Sequence, residues 1–348
     1  MSSFVPEPTT PRAIKRWKSF KPTTITLPSQ QQLSIDFKKQ HIQYFTEPKN
    51  ISSLVPLDRA GSQGDKFQGI YQDDRTVPVP VFVKRRKWNA PKSRKATSSQ
   101  EIHFNELVRN HTDKQKEAKY FVHFVGWTWF ADAQAHPDLP TDSVLLIFEW
   151  IEKSWAQKER DLVEDKKRLF DVVHGLAILH ESLHVIHGDI KPSNVMIRED
   201  GTAAICDFGC TYNEACISCS TLTYHYPGEE VVFSVMTDLY SVGLILLLRI
   251  HCNQKQRPSI PTSLPITNKE SEAERYDSLI NAVTEQLRTC LVKHDEVVYT
   301  LLGRPNREFI PRQTLITRED HLKLFLNTKT NLTSALEAYL RKKFGSDR

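Results

Sequence analysis

The stretch that decides the fold runs from His187 to Asn194 and reads HGDIKPSN, and after a short apolar segment it is followed by Asp207-Phe208-Gly209. Residues 195–197 and 202–206 between the two motifs predict two short strands joined by turn residues. Such a hairpin returns the chain on itself and brings Asp207 beside Asn194. The alternative is a surface loop with scattered charges next to an unrelated hairpin. Two motifs at the required separation coincide far less often than one motif alone, so we expect a single site.

The polar residues of these motifs are the types that phosphoryl transfer needs. The reaction uses a carboxylate to orient and deprotonate a hydroxyl, a cation to neutralise the moving group, and two oxygen ligands for Mg²⁺. That set is supplied by Asp189, Lys191, Asn194 and Asp207. In this order and spacing the residues resemble the active site of the eukaryotic protein-kinase superfamily. The resemblance is strong over residues 57–250 and weak over the end of the chain.

The order of elements along the chain agrees with the fold that this resemblance implies. That fold is α+β and two-lobed, protein-kinase-like, with a β-rich small lobe and a helical large lobe. Up to Ile151 the sequence alternates β-rich runs at 67–71, 79–84, 120–129 and 144–150 with turns and one helical pattern at 98–108. Beyond Ile151 the pattern turns helical, with helices expected at 162–180, 236–250, 276–291 and 332–339.

The positive charge is concentrated at the start of the chain. Residues 1–50 hold eight lysines and arginines against three acidic residues, and this excess equals the whole net charge of +5. The segment is also rich in proline and has no sustained apolar period, so we expect a mostly disordered tail at 1–50. A kinase domain is expected at 51–348, with its small lobe at 51–150 and its large lobe at 151–348. The tail is either solvated or a docking arm for an acidic partner.

Composition argues against other classes of protein. The longest apolar run, Val242–Leu248, is far shorter than the roughly 20 residues of a membrane span, so we expect no membrane partner. The N-terminus has no apolar secretory signal, which favours a cytoplasmic or nuclear location, where the six cysteines are reduced thiols. The basic run at 84–95 begins at a strand end, so we read it as a solvated strand end and loop and expect no specific nucleic-acid binding.

The family resemblance implies that four residues of the small lobe belong to the ATP site. Lys84 ends a β-rich run and resembles the lysine that holds the α and β phosphates. Its partner in the family is a glutamate on the next helix, and Glu101 fits that helix pattern better than Glu106. Gly61 and Gly64 fall where the second and third glycines of the phosphate-covering loop sit. Glycine is needed there because backbone N–H groups must approach phosphate without an intervening Cβ.

The adenine site is implied by the strand at 144–151. It resembles the strand that leads into the hinge, with Phe148 at the gatekeeper position. Glu149 and Ile151 would then offer backbone groups to adenine, and Met196 would form the floor of the pocket. Ordinary packing of a core strand explains the same apolar pattern, and both can hold.

The function implied is that of a Ser/Thr protein kinase, which transfers the γ-phosphoryl group of ATP to hydroxyls of protein substrates with ATP and Mg²⁺ as cofactors. The resemblance makes Asp189 the base and Lys191 the group that steadies the γ-phosphate. Asn194 and Asp207 are the metal ligands. A lysine two residues after the aspartate favours Ser and Thr over Tyr as acceptors.

Departures from the family pattern keep other functions open. Arg59 replaces the first glycine of the loop, Lys66 stands where a valine usually covers adenine, and Phe82 replaces the small residue over the base. The alternative is therefore a pseudokinase acting as a binding scaffold. A small-molecule kinase of similar fold is a third reading, which the resemblance of residues 221–243 to an activation segment and a large buried helix disfavours.

Further deviations concern residues 187–194, here called the catalytic loop, and the segment after them. Gly188 replaces the arginine that precedes the aspartate in many kinases, so a phosphorylated activation segment would lack its main local counter-charge. Asp238 matches the aspartate that ties down the loop backbone, and His187 is expected to brace the loop. Four thiols fall in the same stretch with a spacing unlike common zinc sites, so we expect free thiols at Cys206, Cys210, Cys216 and Cys219.

Overall fold

The structure, a computed structural model, describes most of the expected domain. It covers residues 44–46, 50–57, 66–73, 77–87, 98–112, 116–129, 143–211, 235–251, 296–302, 322–323 and 325–345. Four expectations lie outside the described residues, namely most of the tail, the loop with Gly61 and Gly64, the segment at 212–234 and the helix at 276–291.

The small lobe is built on a five-stranded antiparallel sheet. Its strands are β1 (Ile51–Pro56), β2 (Lys66–Tyr71), β3 (Val79–Lys87), β4 (Phe124–Trp129) and β5 (Ser143–Glu149), in the spatial order β1-β2-β3-β5-β4. The central strand β5 is buried from Ser143 to Phe148, as its unbroken apolar run predicts. The four β-rich runs are confirmed as strands. No apolar pattern predicts β1, because most side chains of this edge strand are exposed.

One long helix, α1 (Ser98–Thr112), packs on the sheet and carries Glu101. Its Ile102 is fully buried in a cluster with aromatic residues of β4. Further along the helix, Arg109 Nη1 donates hydrogen bonds to the carbonyl oxygens of Phe124 at 2.6 Å and Val125 at 2.7 Å. Apolar packing and this arginine together fix α1 against β4, and thereby set where Glu101 stands relative to β3.

A short segment ahead of residue 51 also joins the sheet. Thr46 N donates to the carbonyl of Trp127 at 2.8 Å, and Trp127 N donates to the carbonyl of Tyr44 at 3.0 Å. The approach is close because residue 126 is glycine, where an added Cβ would lie 2.3 Å from the Tyr44 oxygen. Tyr44 Oη also donates to Asn110 of α1 at 2.6 Å. Part of the segment that the sequence assigned to the tail, Tyr44–Thr46, therefore pairs with the sheet.

The large lobe opens with α2 (Leu162–Ala177), which continues as a π-helical turn over Ile178–Ser182. The helix begins at Asp161, whose carboxylate accepts hydrogen bonds from the backbone N–H groups of Val163 and Glu164. One face is buried, as the periodic apolar pattern predicts. The π-helical turn lengthens the helix far enough to bring His180 under the catalytic loop.

Three further helices complete the described part of the large lobe. They are α3 (Val235–Ile245), extended by a π-helical turn to His251, α4 (Glu296–Leu302) and α5 (Leu332–Phe344). The helix α3 is buried on nearly all sides, as expected for its apolar sequence. Gly243 lets α4 approach closely, since an added Cβ would lie 2.8 Å from Leu301 Cβ. No helix among the described residues is long and apolar enough to cross a membrane.

A small second sheet links the two motifs quoted at the outset. It contains β6 (Lys153–Ser154), β7 (Val195–Ile197) and β8 (Ala203–Ile205), with β7 and β8 forming the expected antiparallel hairpin. Its turn uses Gly201 at φ +85°, a left-handed conformation that glycine adopts without strain. Cys206 N donates to the carbonyl of Asn194 at 3.0 Å. The hairpin therefore sets Asp207 directly beyond Asn194.

Candidate active site

The catalytic loop gathers its polar side chains around Asp189, which is only 2% exposed. Lys191 Nζ donates to Asp189 Oδ2 at 2.6 Å, and Asn194 Nδ2 donates to the same oxygen at 2.9 Å. Asn194 Nδ2 also lies 2.9 Å from the carbonyl oxygen of Asp189. Pro192 starts the 3-10 turn that returns Asn194 to this position. The carboxylate thus has a fixed orientation before any substrate arrives.

The loop is held from below by Asp238 of α3. Its two carboxylate oxygens accept the backbone N–H groups of His187 and Gly188, each at 2.8 Å. His180 Nε2 lies 2.9 Å from Asp238 Oδ2, and both side chains are almost completely buried. Burial raises the pKa of Asp238, but the hydrogen bond and charge of His180 outweigh burial and leave the pKa below its usual value. Asp238 is therefore a charged group that organises the loop.

Backbone geometry explains the glycine at position 188. Gly188 has φ +80°, a left-handed conformation that costs a residue with a side chain about 1 kcal/mol or more. The neighbouring His187 ring is fully buried, packs on Phe208 at 5.2 Å and places Nε2 3.0 Å from the carbonyl oxygen of Cys206. Its position is that of a brace between the two motifs, as expected.

Lys84 of β3 bridges two carboxylates that are far apart in the sequence. Its Nζ lies 2.6 Å from Glu101 Oε1 and 2.8 Å from Asp207 Oδ1. Asp207 has φ +69°, an uncommon conformation for a residue with a side chain, and its Oδ1 also accepts a hydrogen bond from Gly209 N at 3.3 Å. Glu101 is completely buried, and a second cation, Arg86, places Nε 3.4 Å from its Oε2. The ion pairs join the small lobe, α1 and the end of the hairpin.

Electrostatics keep these groups charged. Burial lowers the pKa of Lys84, but the charges of Asp207 and Glu101 outweigh burial and raise it above the usual value. Burial likewise raises the pKa of Asp207, and Lys84 reverses this and brings the pKa well below its usual range. An ammonium and two carboxylates facing one cleft suit a ligand that carries phosphate and a divalent cation.

A cavity of about 520 Å³ opens between the lobes beside these ion pairs. Its walls include the polar residues Lys84, Glu101, Asn194 and Asp207 and the apolar residues Leu57, Phe148, Ile151 and Met196. Phe82 and Lys66, two departures from the family pattern, also line it. The Phe82 ring lies 6.2 Å from the ring of Phe148. A cleft of this size accommodates a molecule as large as a nucleotide.

The strand end beside the cavity is held by a residue that the sequence did not single out. Arg198, after β7, forms an ion pair with the carboxylate of Glu149 and donates to the carbonyl oxygen of Phe121 at 2.9 Å. Glu149 Oε1 also accepts a hydrogen bond from His123 N at 2.7 Å. The Glu149 side chain is therefore committed to fixing the strand end. Arg198 gave no signal because its partners are dozens of residues away in the sequence.

Two of the four thiols are described, and neither of them forms a disulfide. Cys210 is buried, and Cys206 lines the cavity. Burial and the charge of Asp207 raise the pKa of Cys206 to about 12, so this thiol stays protonated at neutral pH. Cys216 and Cys219 lie outside the described residues.

The structure brings together the sequence-selected residues that it describes. These are Lys84, Glu101, Glu149, Ile151, Asp189, Lys191, Asn194 and Asp207. Gly61 and Gly64 are outside the described residues. Besides Arg198, the sequence reasoning missed His180 and Arg86. No local motif marks them, since each acts through a contact made only in the folded chain.

Comparison with known proteins agrees with this geometry. Residues 82–291, more than half of the chain, match the family model of the protein kinase domain. Dual specificity mitogen-activated protein kinase kinase 1 of Dictyostelium discoideum is 39% identical over 90 residues, 23% of this chain and 14% of that protein. Mitogen-activated protein kinase kinase 1 of Arabidopsis thaliana is 31% identical over 129 residues, 34% of each chain.

A longer match is to protein kinase wis1 of Schizosaccharomyces pombe, 27% identical over 219 residues, which cover 57% of this chain and 33% of that protein. The chain thus spans about a third or less of the length of these curated relatives. Family match, two-lobed fold and the assembled cleft point the same way, and this chain belongs to the protein kinase family.

Proposed function

We propose that this chain is an ATP-dependent Ser/Thr protein kinase, which transfers the γ-phosphoryl group of ATP to hydroxyls of protein substrates. The observation that carries the proposal is the meeting of Lys84, Glu101 and Asp207 in one cleft with Asp189 and Asn194 of the catalytic loop. Membership of the family supports it. Little covalent chemistry is asked of the protein, so positioning and charge neutralisation supply most of the rate.

Asp189 acts as the base in this proposal. The hydrogen bonds from Lys191 and Asn194 to its Oδ2 hold the carboxylate in one orientation. An acceptor hydroxyl that approaches Asp189 gives its proton to that carboxylate as its oxygen attacks the γ-phosphorus, and the bond from the γ-phosphorus to the bridging oxygen breaks and releases ADP. Lys191 Nζ stays beside the base and steadies the charge on the γ-phosphate.

The other side chains align the nucleotide. Lys84, held by Glu101, binds the α and β phosphates, and the loop with Gly61 and Gly64 covers them. Backbone groups of Glu149 and Ile151 face adenine, and Ile151 also lines the cavity. The Glu149 carboxylate is occupied by Arg198 and His123, so only its backbone is proposed to contact the base.

Asn194 and Asp207 fit the role of magnesium ligands. The Asn194 amide nitrogen is used in hydrogen bonds to Asp189, which leaves its oxygen as the metal-binding atom. Asp207 uses Oδ1 for Lys84 and Gly209, and within the described part of the chain its Oδ2 accepts no hydrogen bond. Oxygen donors of this kind are those that Mg²⁺ prefers, and a bound ion would neutralise phosphate charge there.

A binding scaffold without catalysis is the second candidate, and Phe82 is the observation that favours it. Its ring lines the cavity where the family has a small residue over the base, and so reduces the space for adenine. Wild-type protein that binds partners or nucleotide but transfers no phosphate would establish this candidate instead.

The test is phosphoryl transfer by the purified full chain with labelled ATP, Mg²⁺ and generic acceptor proteins. Asp189→Asn is expected to lower turnover by a factor on the order of 10² to 10⁴, the contribution of a general base. Asp200→Asn is the matched control, because Asp200 lies in the β7–β8 turn and caps Thr202 there. Near-normal turnover of the Asp189 variant would contradict the proposed role.

The acceptor class needs its own measurement. The name of the Dictyostelium relative includes dual specificity, so the acceptor set should contain tyrosine as well as serine and threonine. Acid hydrolysis of the labelled products is expected to release phosphoserine and phosphothreonine. Labelled phosphotyrosine in comparable amount would replace the Ser/Thr assignment with a dual-specificity one.

A further inference from the structure

Lys66 is a cation in the cleft to which the catalytic assignment gives no role. We propose that Lys66 is a second phosphate-binding residue of the nucleotide cleft, which acts beside Lys84 on the phosphate chain of a nucleoside di- or triphosphate. The inference rests on the proposed function, because it takes a nucleotide as the ligand.

The sheet register places Lys66 beside Lys84. Lys66, the first residue of β2, is the direct cross-strand partner of Lys84 in β3. Directly opposed residues point to the same face of an antiparallel pair, with Cβ atoms roughly 5 Å apart. Both lysines line the cavity, and so does Leu57, whose backbone N donates to the Lys66 carbonyl at 2.9 Å. The strand pairing thus fixes where the Lys66 side chain starts.

None of the ion pairs between described residues uses Lys66. Lys84 is paired with Glu101 and Asp207, and Lys191 is paired with Asp189. Among the described residues Lys66 has no carboxylate within ion-pair distance. Like charges directly opposite each other on two strands repel, and a polyanionic ligand removes that repulsion. An ammonium in this position is therefore available to a phosphate chain.

Lys66 lines the same cavity as Asp207 and Asn194. The residue that usually occupies position 66 in the family is a valine over adenine. A lysine stem can cover the same apolar surface while its ammonium extends to the phosphates.

Calorimetric titration of the full chain with Mg·ATP, Mg·ADP and adenosine tests the inference. Lys66→Val is expected to weaken Mg·ATP and Mg·ADP binding about tenfold, with adenosine affinity unchanged, and to flatten the salt dependence of nucleotide binding. Lys66→Arg keeps the charge and is expected to retain most of the affinity. Lys116→Val removes an exposed lysine outside the cleft and is the matched control.

Turnover adds a second readout. Lys66→Val is expected to raise the KM for ATP and leave kcat nearly unchanged, because the contact forms in the ground state and the transition state alike. Equal weakening of ATP and adenosine would overturn the inference and make Lys66 a residue that shapes the base pocket. Unchanged ATP affinity would overturn it as well. If the wild-type chain binds none of the three ligands, the proposed function itself fails and the inference falls with it.

Discussion

Two aspartates beside the catalytic loop, Asp207 and Asp238, are both charged, yet their surroundings differ. Asp207 meets the ammonium of Lys84, which comes from the other lobe and 123 residues away. Asp238 meets His180 and two backbone N–H groups of the catalytic loop, all within the large lobe. The Asp207 side chain keeps 22% of its surface exposed toward the cavity, whereas that of Asp238 is completely buried.

The comparison separates a group arranged for a ligand from one arranged for the fold. Asp207 has an oxygen that the described protein atoms leave unsatisfied, together with a left-handed backbone. Asp238 uses both oxygens on protein partners. Buried charges persist when their hydrogen bonds are satisfied, so Asp238 has a structural role by itself. Asp207 is satisfied only in part, which is a common feature of sites that bind substrate or metal.

Loss of activity without loss of the fold is the largest effect that the comparison predicts. Asp207→Asn is expected to lower turnover about 10³-fold, equivalent to about 4 kcal/mol of transition-state stabilisation. The free energy of unfolding should fall by less than it does in Asp238→Asn, because the Asp207 side chain is partly exposed and Lys84 keeps Glu101. Kinetic assays and urea unfolding of the same preparation measure both. A stability loss as large as that of an Asp238 variant would erase the distinction.

Asp238→Asn should instead lower the free energy of unfolding markedly. Replacing one acceptor oxygen by an amide leaves His180 or a loop N–H without a partner, and we expect a loss of about 2–4 kcal/mol in the free energy of unfolding. Turnover falls with it because the catalytic loop is displaced. Asp161→Asn is the control, since asparagine caps α2 as well as aspartate does. Equal stability of the two variants in urea unfolding would contradict the structural role.

Lowering the pH should remove the stability that both charged aspartates contribute. Their folded-state pKa values lie below the unfolded value of about 3.9, because Lys84 and His180 respectively outweigh the effect of burial. A carboxylate with a lowered pKa contributes stability that is present above the unfolded pKa and is lost as pH falls through the folded one. Urea unfolding between about pH 3 and about pH 6 should show wild-type stability falling more steeply than that of Asp238→Asn. If stability falls equally steeply with pH in both proteins, Asp238 does not cause the acid sensitivity.

The smallest predicted effect concerns the loop that Asp238 holds. Gly188→Ala puts a Cβ on a backbone at φ +80° and should cost about 1 kcal/mol of stability, with turnover reduced less than about tenfold. Gly345→Ala is the matched control, since its φ is +83° and its added Cβ meets nothing within 4 Å. Thermal unfolding should show a comparable cost for both variants, and only Gly188→Ala should slow turnover. A Gly188 variant as active as wild type would show that the loop tolerates the change.

Local patterns predicted most elements, and their failures have physical causes. The strands β2 to β5 and the helices α1, α2 and α3 were legible because each has either an apolar period that matches its secondary structure or, in β5 and α3, a nearly unbroken apolar run. The pattern missed β1, whose side chains are mostly exposed, and α4, which is short and lies in the least legible part of the chain. Tyr44–Thr46 were assigned to a charged tail, since backbone pairing with β4 across Gly126 leaves no mark in composition.

The sequence by itself determined the family of this protein and predicted the residues of the proposed phosphoryl transfer, because those residues stand at fixed spacings within HGDIKPSN and the hairpin after it. It also selected Lys84 and Glu101, which the fold brings to 2.6 Å. Only the tertiary structure decided which charges are committed and which remain available. Arg198 pairs with Glu149, His180 with Asp238 and Arg86 with Glu101. Lys66 lines the cleft and lies opposite Lys84 in the sheet. These pairings depend on the packing of distant segments, and a sequence pattern records only local geometry.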